Sequence, residues 1–436
     1  MKADLYIKGR LWIRGSFIDG GLGIRDGSIV DICKEGRIPR DAKIHDFSRL
    51  LVIPGLVDPH VHLRDMELDY KEDFFSGTSS AVAGGYTAVI DMPNTVPQTD
   101  NLQALKEKRQ EAQRKVVCDV GFHLGFIPDP EEISRCLEMG IFSVKVYPSD
   151  LRLLHEIGTG CLLQLNESNV PVYVHAEDQD IIDKRRKELG DKVSLLQHAL
   201  IRPPEAELVA LERALRLFRD MRVHFAHITL ADSLKILANR DRSNVTFEVT
   251  PHHLELTEQA TMKSPAVAKV NPPLRTLLDV RSLREALNRG DVDVVASDHA
   301  PHETSEKERS EYDEVPSGFP SLETAFSLLF TLASRGALSL NAVIVAMTER
   351  PAKIFNVPRK GRLEMGYDAD FFVFDPKEQW EVRPELFKSR ARFSPFEGWR
   401  LEGRVKATYV RGVEVFREGS VEANSGYGKV IERGRG

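Results

Sequence analysis

The sequence predicts an α/β chain whose centre closes into a TIM-type (β/α)₈ barrel and whose two ends build a small flanking β-sandwich. Three observations predict this. Between about residues 54 and 360, short β-rich runs alternate with helical stretches, as in TAVIDMP, NLQALKEKRQEAQRK and VVCDVGFHL, and that alternation implies a parallel sheet with right-handed crossovers. At 436 residues the chain exceeds the ~250 of a bare barrel and leaves room for a smaller second unit. The ends read unlike the middle: both carry short alternating strands punctuated by glycine turns.

In chain order, residues 1–53 hold DLYIKGRLWI, SFIDGGLGIRDGSIVDICKEG and KIHDFSRLLVIPG, the N-terminal part of the sandwich. Residues 54–360 are the barrel. Residues 361–420, with GRLEMGYDADFFVFDP and GRVKATYVRGVEVFREG, return to the β pattern and complete the sandwich. The polar, glycine-rich residues 421–436 read as a loosely held tail.

Composition narrows the functional class. Hydrophobic residues at 42% and charged residues at 29% describe an ordinary globular protein. The net charge of −6 gives no basic footprint for nucleic acid, so an anionic substrate has to be caught by a local group. Cys33, Cys118, Cys136 and Cys161 form no CxxC pair, which argues against a disulfide framework or a thiolate zinc site and for reduced thiols in a cytoplasmic protein. No signal-type apolar segment and no run of 18 uncharged apolar residues occurs, so no membrane association is expected. The GGLG at 20–23 and GG at 84–85 lack phosphate-loop spacing and read as turns.

The chemistry sits at the ends of β-rich runs. LVIPGLVDPHVHLRD places His60 and His62 two apart, so a strand presents both imidazoles on one face, with Arg64 sharing it. Two imidazoles there suit zinc. A lone HxH is more often a pair of ordinary core or surface histidines, and the weight comes from three further β-rich runs. PVYVHAED ends in His175, RVHFAHIT in His227 and DVDVVASDHAPH in Asp298, and functional residues of barrels collect at strand C-termini. In IFSVKVYPSD, Ser143, Lys145 and Tyr147 face opposite to Phe142, Val144 and Val146. Taken alone, such a lysine is usually salt-bridged or snorkelling. Facing inward among metal-type ligands, it has another use: a neutral amine captures carbon dioxide as a carbamate, an oxygen ligand able to bridge two metals.

With these residues in place, the chain resembles the cyclic-amidohydrolase branch of the amidohydrolase superfamily, and within it the dihydroorotases. The match runs in order through PGLVDPHVHLRD, KEDFFSGTSSAVAGGYTAVIDMPNTVP, SVKVYPSD, VYVHAED, FAHIT, FEVTPHHLELT, NPPLR, SDHAPH, SGFPSLET and GYDADFFVFD. The resemblance implies a zinc-dependent, reversible interconversion of N-carbamoyl-L-aspartate and L-dihydroorotate in pyrimidine biosynthesis. It implies two zinc ions per subunit, bridged by hydroxide and by carboxylated Lys145. His60 and His62 would bind one metal, His175 and His227 the other. Asp298 would ligate the first metal and act as the catalytic acid/base. Arg64, Asn94, Asn271 and His302 match substrate-holding positions.

Arg64 separates the candidate substrates. Dihydroorotate carries a ring carboxylate that a guanidinium grips with two parallel hydrogen bonds. Hydantoinases and allantoinases share the metal ligands but act on rings lacking that carboxylate, so Arg64 favours dihydroorotate over a hydantoinase- or allantoinase-like role. A non-catalytic scaffold of the same fold is the other alternative, against which every ligand position is filled. Some relatives bridge through an aspartate in an SDD-like segment, which makes Asp150 the second candidate for the bridge after Lys145. Glu248, His252 and His253 in FEVTPHHL read as supporting groups rather than primary ligands. A homo-oligomer and association with aspartate carbamoyltransferase are compatible with the resemblance and are not read from these residues.

Overall fold

The computed structural model describes residues 3–190, 192–239 and 244–434. Four strands open the chain: β1 (Leu5–Ile13), β2 (Ser16–Arg25), β3 (Ser28–Lys34) and β4 (Ile44–Pro54). The barrel follows with β5 (Leu56–Val61), β6 (Tyr86–Asp91), β7 (Asp119–Phe122), β8 (Leu124–Gly125), β9 (Val144–Val146), β10 (Val172–Val174), β11 (Val223–Phe225), β12 (Val245–Val249) and β13 (Val294–Val295). The third barrel strand is the β7–β8 pair, interrupted at His123. Last come β14 (Phe371–Glu381), β15 (Arg400–Val410), β16 (Val413–Arg417) and β17 (Ser420–Val421).

The barrel strands pair in parallel in chain order, and their short all-buried runs, such as VYV and VHF, are what a sheet covered on both faces requires. Closure is made where Val61 meets His299 in a parallel bridge and the His62 N–H donates to His299 O at 2.8 Å. Asp58 staples the seam: its carboxylate accepts the backbone N–H groups of His60 (3.0 Å) and Ser297 (3.1 Å). Between strands, helices start on good caps. Asp73 and Ser76 form a capping box before the helix Phe74–Ala83, Asn101 caps Leu102–Lys115, and Asp129 caps Pro130–Glu138.

The flanking unit is one continuous eight-stranded sheet in the order β17-β16-β15-β14-β4-β1-β2-β3. The two chain ends join where Pro54 of β4 pairs with Phe371 of β14. Phe372 and Phe374 on one face pack edge-on against Phe326 and Phe330 of the barrel helix Leu322–Ser334. The other face buries Ile7, Leu22, Val52, Phe371, Val373 and Tyr409 in a core of its own. The sheet curls round that core: Gly412 lies against Ile24 and Gly27 against Arg411, although β15 and β2 stand well apart in the strand order. That curl gives the expected sandwich its two layers.

The C-terminal segment differs from the expectation of a loose tail. The N–H of Gly428 donates to Val116 O at 2.9 Å, Val430 bridges Val120, and the Ile431 N–H donates to Val120 O at 2.9 Å. Arg433 donates to the carbonyls of Ser168 and Asn169. The segment therefore runs as an extra edge along the N-terminal ends of the barrel strands, held by backbone hydrogen bonds that composition does not reveal. Beside it a buried charge cluster ties the units together: Lys360 contacts Asp119 (2.7 Å), Asp368 (3.0 Å) and Asp370 (2.5 Å), and Arg411 also reaches Asp119. The three carboxylates are close enough for a cation, and the Lys360 ammonium already takes that place.

Candidate metal centre and active site

At the opposite, C-terminal end of the strands a cleft of about 230 Å³ is lined by His60, His62, Arg64, Asn94, Lys145, His175, His227, Asn271 and Asp298. Each ligand candidate arrives where a strand ends: His60 in β5, with His62 and Arg64 just beyond it, Lys145 in β9, and His175, His227 and Asp298 just past β10, β11 and β13. The backbone at three of these positions is left-handed, with φ of 58° at Arg64, 29° at His227 and 47° at Asp298. None of these is glycine, so the sharp turns that aim the side chains into the cleft carry strain offset by the surrounding fold.

The imidazoles are fixed from behind. His60 Nδ1 meets Glu248 Oε1 at 2.5 Å and His62 Nδ1 meets Asn94 Oδ1 at 2.7 Å. Both acceptors take the Nδ1 proton and leave Nε2 as a lone pair. Those two Nε2 atoms lie 3.3 and 3.2 Å from Asp298 Oδ1. His175 is held the other way round, Nε2 to Glu177 Oε2 at 2.6 Å, which frees its Nδ1. The rings of His175 and His227 are 4.5 Å apart, and those of His60 and His227 are 5.3 Å apart. Burial would raise the pKa of Asp298, but His60 and His62 draw it well below the carboxylate range. Burial lowers His62 to about 4, against the pull of Asp298, and lowers His175 and His227 as well. The centre thus holds an ionised Asp298 beside His62, His175 and His227, whose imidazoles burial keeps neutral.

Two buried atoms complete the donor set and have no hydrogen-bond partner among the described residues: Lys145 Nζ and His227 Nδ1. The lysine nitrogen lies 4.3 Å from the centroid of the Tyr173 ring, and burial pushes its pKa down to about 8 against the pull of Glu248 and Asp298. A buried unpaired ammonium is costly, so the neutral amine is within reach near neutral pH. Asp150 is employed elsewhere: its carboxylate accepts the Tyr147 N–H at 2.9 Å and caps the helix Pro148–Ile157, outside the cleft lining. Imidazole lone pairs, one carboxylate and orphaned buried nitrogens form a set that fits divalent metal ions.

The chain matches the amidohydrolase family over residues 51–415. The chain belongs to the amidohydrolase family. It is 41% identical to a dihydroorotase from Methanothermobacter thermautotrophicus over 93% of each chain. It is 34% identical to a dihydroorotase from Pyrococcus furiosus over 99% of this chain and 97% of that one. Among solved structures, an L-hydantoinase (dihydropyrimidinase) from Arthrobacter aurescens superposes with a TM-score of 0.91 at 28% identity, covering 99% of this chain and all of that one. A D-hydantoinase superposes at 0.89 with 30% identity over 99% of each. Membership and donor set together make this amidohydrolase metal-dependent.

The far wall of the amidohydrolase's cleft is cationic. Arg64 is buried, makes no salt bridge among the described residues, and donates through Nε to Pro301 O at 3.2 Å. Asn271 Oδ1 accepts from Ser317 Oγ at 3.1 Å. His302 is the one expected residue outside the lining. It packs beside Arg64, its Nε2 3.2 Å from Nη2 of the guanidinium and 3.0 Å from Ser317 O. Glu248 is a supporting group: it also accepts from the Tyr173 hydroxyl, and His224 Nε2 lies 3.3 Å away. His253 bonds Thr250 Oγ1 and Pro272 O, which leaves it a structural part. Sequence reasoning put Tyr147 on the face of Lys145 without giving it a role and missed Gln179, Arg202 and Ser317; all four also line the cleft. Arg202 pairs with Glu177 behind His175. Its only local signal is a charge before PPEAE.

Proposed function

We infer that this amidohydrolase interconverts L-dihydroorotate and N-carbamoyl-L-aspartate, the dihydroorotase reaction, which serves pyrimidine biosynthesis. The observation that carries the reading is Arg64: an unpaired buried guanidinium on the wall of a small cleft whose other side is a metal-type donor set. A ring carboxylate satisfies it, and rings lacking one leave it unpaired. The long, 41%-identical dihydroorotase relative supports the same choice over the hydantoinases, which share the fold at lower identity.

The reading takes zinc as the metal, two ions per chain, with His60 and His62 on one and His175 and His227 on the other. Lys145, as its carbamate, would supply oxygen ligands to the pair, and Asp298 would complete the first set. Imidazole nitrogen with carboxylate-type oxygen is a set zinc accepts. Bound metal ions supply an activated water, with its pKa lowered towards ~7, and polarise the ring amide carbonyl. The chain's own residues do the rest. Arg64 holds the carboxylate by paired hydrogen bonds and so orients the ring. Asn94 and Asn271 add donors round it, with His302 packed against the guanidinium. Asp298, ionised beside His60 and His62, accepts a proton from the attacking water and returns it to the leaving ring nitrogen, help typically worth ~10² to 10⁴ in rate. Run backwards, the same groups close the ring and release water.

No helix among the described residues is long and apolar enough to cross a membrane. The four free cysteines favour a cytoplasmic setting. The test is steady-state turnover of L-dihydroorotate by metal-replete protein, with hydantoin and allantoin in parallel and metal content measured on the same sample. Preferred turnover of dihydroorotate with about two zinc ions per chain is expected. Turnover of only the uncarboxylated rings would overturn the role of Arg64. No turnover at full metal content would favour the scaffold.

A further inference from the structure

Three residues in the lining of the cleft carry a buried polar atom with no hydrogen-bond partner among the described residues: Lys145 at Nζ, His227 at Nδ1 and Tyr147 at its hydroxyl. The first two belong to the metal-type donor set. The third has no part in the proposed reaction. A buried hydroxyl left unpaired is costly, and it marks a partner that the free protein does not supply. The main chain at Tyr147 is nevertheless anchored. Its N–H donates to Asp150 at 2.9 Å and its carbonyl accepts the Leu151 N–H at 2.9 Å, where the helix Pro148–Ile157 begins. Its ring stands beside the metal-type set, the centroid 5.6 Å from Lys145 Nζ.

We propose that Tyr147 is a specificity-determining residue whose hydroxyl donates to the ring carboxylate that Arg64 grips. This rests on the reading of dihydroorotate as substrate. The cleft holds about 230 Å³ and is lined by both Tyr147 and Arg64, so the two side chains face one small molecule. A phenol keeps its proton at neutral pH and is free to donate. Burial raises its pKa further, and of the charges acting on it Arg64 works hardest against that rise, which puts the hydroxyl within electrostatic reach of the guanidinium. A guanidinium only donates, so the acceptor that suits both groups is an anion, and a carboxylate has lone pairs for the fork of Arg64 and for a third donor besides. A ring without the carboxylate leaves the buried phenol oxygen unpaired, and the cleft discriminates against it for that reason.

The test compares wild type and Tyr147→Phe on L-dihydroorotate and on dihydrouracil, the same ring without the carboxylate, taken as substrate or as inhibitor. Tm is followed in parallel, and metal-loaded protein labelled at tyrosine ¹³Cζ is titrated with orotate or with uracil. Tyr147→Phe should raise KM for dihydroorotate about ten- to a hundredfold, the worth of one hydrogen bond to a charged acceptor. Its kcat should change less than threefold, and its affinity for dihydrouracil should stay as it was. Its Tm should hold or rise, because no bond of the free protein is removed, whereas a merely structural tyrosine would lose Tm. The Tyr147 resonance, identified by its absence from the variant, should shift with orotate and stay still with uracil. An unchanged KM overturns the proposal. So does an equal loss on both rings, which would put the hydroxyl on the amide carbonyl, and so does a lowered Tm with an unmoved resonance. Wild type inactive on dihydroorotate refutes the substrate reading instead, and the orotate titration then decides Tyr147: a shift supports its role on the carboxylate and no shift overturns it.

Discussion

Replacing Arg64 by methionine tests the substrate pole most directly. The side chain is buried, with hydrogen bonds to Pro301 O and His302 Nε2 and no salt bridge among the described residues, so no carboxylate of the chain neutralises its charge. Two hydrogen bonds to a charged carboxylate at ~1.5–3 kcal/mol each give roughly 3–6 kcal/mol of lost recognition. At 1.4 kcal/mol per decade this is a fall of ~10² to 10⁴ in kcat/KM for L-dihydroorotate. Methionine fills most of the volume, and the protein contacts forfeited are those to Pro301 O and the His302 ring, so the fold and the metal set should persist. The assay measures kcat/KM on dihydroorotate and on a ring without the carboxylate, with zinc content and Tm followed in parallel. Loss confined to dihydroorotate is expected. Unchanged kinetics, or equal loss on both rings with reduced metal, would refute the assignment of Arg64 to the carboxylate.

Three further outcomes are expected. Metal-loaded protein prepared in ¹³C-bicarbonate should show one carbamate carbonyl resonance that is absent from Lys145→Ala, and that variant should bind less metal; a resonance surviving the substitution would move the carbamate elsewhere. Glu177 is held at about 2 against an ordinary 4.5, burial pushing up and Arg202 with His175 pulling down harder. Its stabilisation is therefore complete above pH 4.5 and lost as pH falls through 2, and the denaturation gap between metal-free wild type and Glu177→Gln should close from roughly 3 kcal/mol at pH 7 towards zero; a gap constant with pH would refute it. Truncation after Asn424 removes the hydrogen bonds of Tyr427, Gly428 and Ile431 to Val410, Val116 and Val120. It should lower Tm by about 5 °C without changing KM, whereas an unmoved Tm would mean that the docked tail contributes nothing.

The barrel and the candidate ligands were legible because each candidate ends a β-rich run, and strand ends of a barrel converge wherever the runs stand in sequence. His60, His175, His227 and Asp298 needed no knowledge of loop shape. What was illegible depends on partners remote in sequence. Asp58 looks like any strand residue until its carboxylate is seen to hold Ser297. Arg202 and Ser317 lie in loops whose course is set by tertiary contacts, and His302, four residues past Asp298, turns behind Arg64 instead of facing the cleft. The SD pair at 149–150 resembled a bridging segment, but the helix start at Pro148 made Asp150 a cap. The tail carries no periodicity, and its partner strand β7 lies some three hundred residues earlier.

The pairing of Pro54 with Phe371 sets an order of events during synthesis. The first four strands leave the ribosome long before β14 exists, and at ~5–20 residues per second the apolar LLVIP end of β4 waits roughly 15–60 s for its neighbour. Through that interval its outer edge is an open template for any other extended chain. Nascent chains of this protein are therefore most exposed to mispairing while the barrel is being made, and slower translation lengthens the exposure in proportion. A host that supplies a chaperone to the first fifty residues should raise the yield of folded protein more than one acting on the finished chain.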